Sequence, residues 1–572
     1  VGTSMIHHSA AGVFILCNIW YLLIYRYELK DEKIDKLQDI LCNSAWMIKD
    51  ELSDIFQIVL DASKGDDVDA CYAKINSNVY RMYSELAERA VTDIYHYGQI
   101  PFAMSEMTIR LMETMWISQD QLPVYRSIDI DSYFGIDSHL SNKYYPASAY
   151  KTPIINLLQN NQDAAIDFLI CFCNKAGENY LKSNLNIDYK ECMKIMIYVK
   201  GQVIEQTVSD RLWKMYRGTH VGSDLLVSLL MGFETWLLNV VKNSDANVVI
   251  DFCRDILIKS ENVMLTAVIV SIAEAYPEKM IDIVCDFLKT KEIFHFDSDR
   301  FVSERQASFL LHGDNIFEEE RREANKLPHR QKRLEDIILQ YQTNKSEISE
   351  EEYSVRLQKI YQAIDYATKD IDTWQTSDKY AYYRMDLRHY KRVINAEPDG
   401  KGNNMCMVMP DFTEDMEELG KERREARDYN YRYMDLELWS DYKYNGNEKF
   451  KEYDKYTDIS IALKELEEMW GFLCNYNDRD SSESGDESFL FHRYLSIVPY
   501  TCTVLLRDFE NDLTDGYRNL CRDIIFEFGY LFSEISDYEF GQTGNGIEAI
   551  ALGLILLINE NANPPAMLGR IE

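Results

Sequence analysis

The chain has 572 residues, 46% of them hydrophobic and 27% charged, which is enough to bury one or more sizeable cores. Its formal charge of −34, from 95 acidic against 61 basic side chains, repels phosphate backbones and anionic lipid. Nucleic-acid binding over the whole surface is thereby disfavoured, and the charge suits solubility or a partner presenting a basic or apolar surface. Its 24 Gly and 11 Pro are about 4% and 2% of the chain, against a usual roughly 7% and 5%, so tight turns are few and helices are favoured over a sandwich or barrel.

The 12 Cys are scattered through apolar runs, with no CxxC pair and no Cys/His cluster. Small buried hydrophobes in a reducing compartment fit that pattern, which makes the cytoplasm the expected address. The 39 Tyr and 8 Trp either line a half-wet helical core or supply anchors at a protein interface.

In chain order, the apolar run from Ala10 to Tyr25 is short for a membrane span and reads as a buried core helix. Opening inside an apolar segment without a Met suggests a piece of a longer protein. Leu37, Leu41, Ala45, Ile48, Leu52, Ile55 and Val59 step by three or four, which predicts one long packed helix from Ile34 to Val59. After a polar break at Ser63, Val79, Met82, Leu86 and Val91 predict a second helix, antiparallel to the first. These make a helical hairpin region over 1–98.

From Gln99 to Tyr150 the periodicity weakens, predicting a connecting segment with a short helix near Met107 to Trp116. A helical-repeat array is expected over 151–393. Val248, Val249, Phe252, Cys253, Ile256 and Leu257 mark one face of a helix, and Val263 to Ala275 is apolar nearly all round. Pro277 is placed to start the helix of Met280, Val284, Phe287 and Leu288. A charged helical stretch runs from Glu318 to about Thr373. A charged helical region with mobile loops follows over 394–488, the loops lying at Ile394–Asp415 and from Asn475. The last region, 489–572, is helical and ends in the very apolar IEAIALGLILLI, unlike a polar capping repeat. Fold class is therefore all-α: an irregular TPR/HEAT-like solenoid array with long connecting loops and no fixed period.

The chemical motifs are few. There is no GxxxxGK[ST], HExxH, EF-hand loop, GxSxG or GxGxxG, and GKGNN at Gly400 has the wrong spacing to cradle a phosphate. His7 and His8 point apart on a helix and read as structural. PDFTEDMEELGK from Pro410 carries carboxylates and a lysine in the order of a metal-dependent nuclease, but those sites sit on a β-hairpin and this stretch reads as a solvated helix. RREANKLPHRQKR from Arg321 could clamp a phosphate or an acidic partner, although beside EEE it reads as a solvated helix end. No catalytic, cofactor-binding or metal-ligating residue is assigned.

Several ordered segments carry a resemblance. They are YKTPIINLLQNNQDAAIDFLICFCNKA from Tyr150, WKMYRGTHVGSDLLVSLLMGFETWLLNVVK from Trp213, SENVMLTAVIVSIAEAYPEKMIDIVCDFL from Ser260, ERREANKLPHRQKRLEDIILQYQ from Glu320, VPYTCTVLLRDFEN from Val498 and the final GIEAIALGLILLI. Together, over about three-quarters of the chain, they resemble the long helical region that follows the nucleotide-binding core in bacterial STAND-class anti-phage NTPases of the AVAST (Avs) type. LPHR and the Tyr-Arg-Gly-Thr-His turn are the least generic parts. The resemblance implies a sensor that binds a phage protein, within a larger protein that self-assembles with ATP and Mg. It departs from the family in lacking the P-loop and effector, so ATP binding falls on no residue here. The alternatives are a helical structural or assembly subunit without catalysis, and a metal-dependent nuclease using carboxylates from Asp411 to Glu418.

Overall fold

The computed structural model describes residues 31–63, 77–118, 130–307, 316–345, 348–393, 407–446, 448–456, 458–475, 485–534 and 546–560. The apolar run 10–25, His7, His8 and the GKGNN turn lie outside these residues, as do most of the polar stretches expected after Ser63, Ile394 and Asn475. Among the described residues helices dominate, and the strands amount to two two-stranded hairpins, so the protein is an all-α helical array. It divides into two compact units, Val1–Phe412 and Thr413–Glu572.

Unit 1 begins with α1 (Asp31–Asn43), α2 (Lys49–Ser63) and α3 (Ser77–Thr92), the last two packing together. The single helix expected over Ile34–Val59 is instead two. At 44–47 the backbone tightens, with Ala45 N donating to Cys42 O and Met47 N to Ser44 O, which interrupts the i→i−4 ladder. Ala45 and Ile48 stay buried in that turn, so the apolar spacing runs on through the break. Short helices α4 (Ile94–Tyr97), α5 (Gln99–Ala103), α6 (Ser105–Met115), α7 (Ile130–Tyr133) and α8 (Ser138–Ser141) follow. The expected connecting segment is thus packed into the unit: Leu111, Met112, Trp116, Phe134 and Tyr144 all belong to its core.

The array continues with α9 (Ile154–Asn160), α10 (Gln162–Lys182) and α11 (Asn184–Tyr189). The next elements correct the all-helical expectation for this stretch. Strands β1 (Met193–Val199) and β2 (Gln202–Val208) form an antiparallel hairpin with Val199 opposite Gln202. Its two-residue tip places Lys200 at φ 49° and Gly201 at φ 76°, as a primed turn requires. Ile195, Ile197 and Val199 alternate onto the buried face.

Then come α12 (Asp210–Lys214), α13 (Asp224–Asn243), α14 (Ala246–Lys259), α15 (Met264–Ala275), α16 (Pro277–Phe287) and α17 (Lys291–Ala307). Four of these starts are chemically marked: Ser209, Ser223 and Asp245 cap α12, α13 and α14, and Pro277 opens α16. Every residue of α15 from Met264 to Glu274 is buried, as its uniform apolarity predicts. On α14, Val249, Cys253, Ile256 and Leu257 are buried while Val248 is exposed. Helix α13 is long and apolar enough to span a bilayer, and 72% of that apolar stretch is buried within the protein against α9 and α15. Unit 1 closes with α18 (Ile316–Asn325), α19 (Leu334–Thr343), α20 (Glu350–Ala367), α21 (Thr376–Met385) and the hairpin β3 (Tyr390–Val393) with β4 (Met407–Pro410).

Unit 2 contains α22 (Glu414–Asn430), α23 (Met434–Asn445), α24 (Ile459–Asn475), α25 (Gly485–Asp508), α26 (Asp515–Glu534) and α27 (Ile547–Glu560). Helix α25 packs against α23, α24, α26 and α27, around Trp439, Tyr494, Cys502, Leu505 and Phe528. Gly553 lets α27 approach closely, since a Cβ there would sit 3.0 Å from both Ile525 Cδ1 and Thr503 Oγ1.

Candidate functional site

The least generic sequence stretches converge inside unit 1. Tyr-Arg-Gly-Thr-His occupies 216–220, where Gly218 takes φ 60° to end a helical turn. Leu-Pro-His-Arg occupies 327–330, where Pro328 opens a 3-10 turn. Both deliver an arginine to one buried charge network. Arg217 Nε donates to Glu304 (2.8 Å), and its guanidinium also bonds Asn325. Arg330 donates to Glu234 (2.5 Å) and to Ser271 Oγ (3.0 Å), whose own hydroxyl bonds Glu234.

Helix α17 supplies the centre, because Asp297, Arg300 and Glu304 fall at i, i+3 and i+7 on one face. Arg300 is wholly buried; it donates to Asp297 (2.9 Å), Glu274 (2.8 Å), Glu304 (3.3 Å) and the Lys332 carbonyl (2.8 Å). Asp297 also accepts from Leu334 N (2.9 Å), fixing the start of α19.

Three guanidiniums meet four carboxylates here. Burial pushes the Glu234 carboxyl up, but Arg330 and Arg217 outweigh it and bring it down to about 2. Glu274 goes the other way: burial, with Asp297 and Glu304 nearby, raises it well above the usual carboxyl range. Its Oε2 meets no donor while the Asp297 carboxylate lies within hydrogen-bonding reach, an arrangement that a proton on Glu274 satisfies. With that proton the network balances at three charges of each sign. Burial also holds His329 neutral, down at about 3. Closed on all sides, this network ties α13, α15, α17 and the two turns together rather than presenting groups to a substrate. The basic run from Arg321 is accordingly not just a solvated helix end, since Arg330 is buried and paired.

The nuclease-like stretch runs across the boundary between the two units. Asp411 follows β4 and pairs with Lys391 (2.5 Å), whereas Glu417, Glu418 and Lys421 lie on α22, where only Met416 and Gly420 are buried. Among the described residues no three His, Cys, Asp or Glu gather as metal ligands would.

An open cleft of about 270 Å³ lies elsewhere on unit 1, lined by Asp93 and Tyr95 beside α4, Lys143 and Lys151 around the loop after α8, Tyr150, and Phe317 of α18. Tyr95 is 75% and Tyr150 54% exposed. The Lys151 ammonium sits 4.3 Å above the Phe317 ring and reaches the carbonyls of Tyr145 (3.3 Å) and Lys143 (3.5 Å). Lys143 pairs with Glu88, Asp93 is engaged by His96, and Glu320 accepts from Ser148 Oγ (2.6 Å) and Ala149 N (3.3 Å). The wall is therefore aromatic, with charges of both signs.

Unit 2 carries a second depression, of about 540 Å³, lined by Arg427, Tyr431, Arg432 and Met434 among others. There Arg432 stacks over Tyr429 (4.4 Å) and Tyr433 (4.8 Å). No protein-family model matches the chain, and no curated protein matches it. Sequence reasoning missed the cleft because its residues are scattered from 92 to 317. The network was half legible: FDSDRFVSER, with charges at i, i+3 and i+7, was its local signal.

Proposed function

We propose that this chain is a ligand-recognition scaffold of an antiviral STAND-type NTPase, a helical-repeat array of the cytoplasm that binds a phage protein. The ATPase and effector, with ATP, Mg and homo-oligomerisation, would belong to other parts of the full-length protein. The observation that carries the recognition reading is the unit 1 cleft, where exposed Tyr95 and Tyr150 flank half-buried Lys151 and Phe317. Tyrosine gives a partner apolar area and a hydroxyl at small entropic cost, and anchors of this kind dominate protein interfaces. The wider reading rests on the ordered resemblance, and it is supported by the meeting of its two least generic stretches in one buried network.

Co-purification with a panel of phage proteins tests the proposal. A bound phage protein, released by the paired changes Tyr95→Ala and Tyr150→Ala, is the expected result. Failure of every candidate to bind, while the full-length protein still protects cells, would sink it.

A further inference from the structure

Lys151 differs from Lys143, the other cation lining the cleft. Among the described residues it forms no ion pair with a carboxylate: Glu88 serves Lys143, Asp93 serves His96, and Glu320 serves the 148–149 backbone and hydroxyl. Its ammonium is left with two long carbonyl contacts and the face of Phe317, in an open cleft. A half-desolvated cation satisfied only by dipoles and a ring gains more from an incoming anion than a cation already paired. Burial lowers its affinity for protons, with Asp93 and Asp224 opposing.

We infer that Lys151 is the specificity point of this cleft, accepting a carboxylate side chain from a segment of the bound protein. This rests on the recognition reading above. The charge of the anion follows from the surroundings. One unpaired ammonium matches a monoanion, whereas Asp93, Asp224 and Glu320 nearby repel a phosphate dianion more strongly than a carboxylate. The source follows from the shape: a carboxylate fills little of about 270 Å³, and Tyr95 and Tyr150 offer the remaining wall to the apolar neighbours of an acidic residue in a peptide chain.

The test uses the whole chain and two fluorescent peptides of the same apolar sequence, one with a central Glu and one with a central Gln, read by anisotropy. The Glu peptide is expected to bind about tenfold tighter, and Lys151→Met to erase that difference, while Lys151→Arg keeps it. Acetate is expected to compete poorly, because it lacks the flanking contacts. Equal affinities for the two peptides, both weakened by Tyr150→Ala, would leave the cleft a protein-binding surface and overturn the carboxylate assignment. A Glu preference that survives in Lys151→Met also overturns it. No binding of either peptide overturns both readings, and displacement by acetate as effective as by unlabelled peptide shows a small-anion site instead. Circular dichroism of each variant confirms folding, and Lys151→Arg guards against loss of structure as the cause.

Discussion

Seven ionisable side chains share one dry space in unit 1, and their protonation decides what each substitution does. Glu234 is an ion held by Arg330 and Arg217, so Glu234→Gln leaves a buried guanidinium uncompensated and is expected to cost about 3–5 kcal/mol. Glu274 is held toward its protonated form, so Glu274→Gln nearly copies it and is expected to cost under about 1 kcal/mol. Denaturant unfolding of the two variants separates them; equal losses would contradict the assigned protonation. The pH dependence carries the same sign. Because the Glu234 carboxyl is lowered from 4.5 to about 2 on folding, its stabilisation is fully present above pH 4.5 and is lost as pH falls toward 2. The stability gap between wild type and Glu234→Gln should narrow below pH 4.5, and a gap that widens there would refute the ion pair. Residue chemistry of this kind was only partly legible in the sequence. LPHR and YRGTH stood out as unusual, but nothing in them named Glu234, which lies 96 residues from Arg330 and is brought to it by helix packing, or Glu274, which lies 26 residues from its own partner Arg300 outside both motifs.

Elements were read best where one periodicity ran without competition. The uniformly apolar run became the fully buried α15, and Pro277 began α16 as its fixed φ allows. Ile269→Ala in α15 is expected to cost about 2–5 kcal/mol, because a buried cavity replaces the side chain; Val248→Ala on the exposed face of α14 should change stability by less than about 0.5 kcal/mol. Thermal unfolding of both checks the face assignment. The hairpin was missed for a physical reason. MKIMIYVKGQVIEQTV is apolar enough to pass for a buried helix, yet it alternates with period two on either side of Lys-Gly, the signature of a two-residue primed turn. Gly201→Ala should cost about 1 kcal/mol from conformation alone, since no atom lies within 4 Å of the added Cβ. A neutral result would argue against the φ 76° tip.

At the scale of the molecule, each unit closes its own hydrophobic core, one around α13 and α15 and the other around α25. The helical class followed from scarce Gly and Pro together with spacing by three and four. The division after Phe412 did not, because helical periodicity resumes on both sides of it. The cleft proposed for recognition was invisible in the chain for a similar reason, as folding gathers Tyr95, Lys143, Tyr150, Lys151 and Phe317 from distant stretches. On the proposed function, this cleft binds a protein. The most direct measurement is co-purification of the whole chain with phage proteins, comparing wild type with Tyr95→Ala combined with Tyr150→Ala. A partner retained by wild type and lost by the folded double variant is predicted. A partner that binds both equally would contradict the claim.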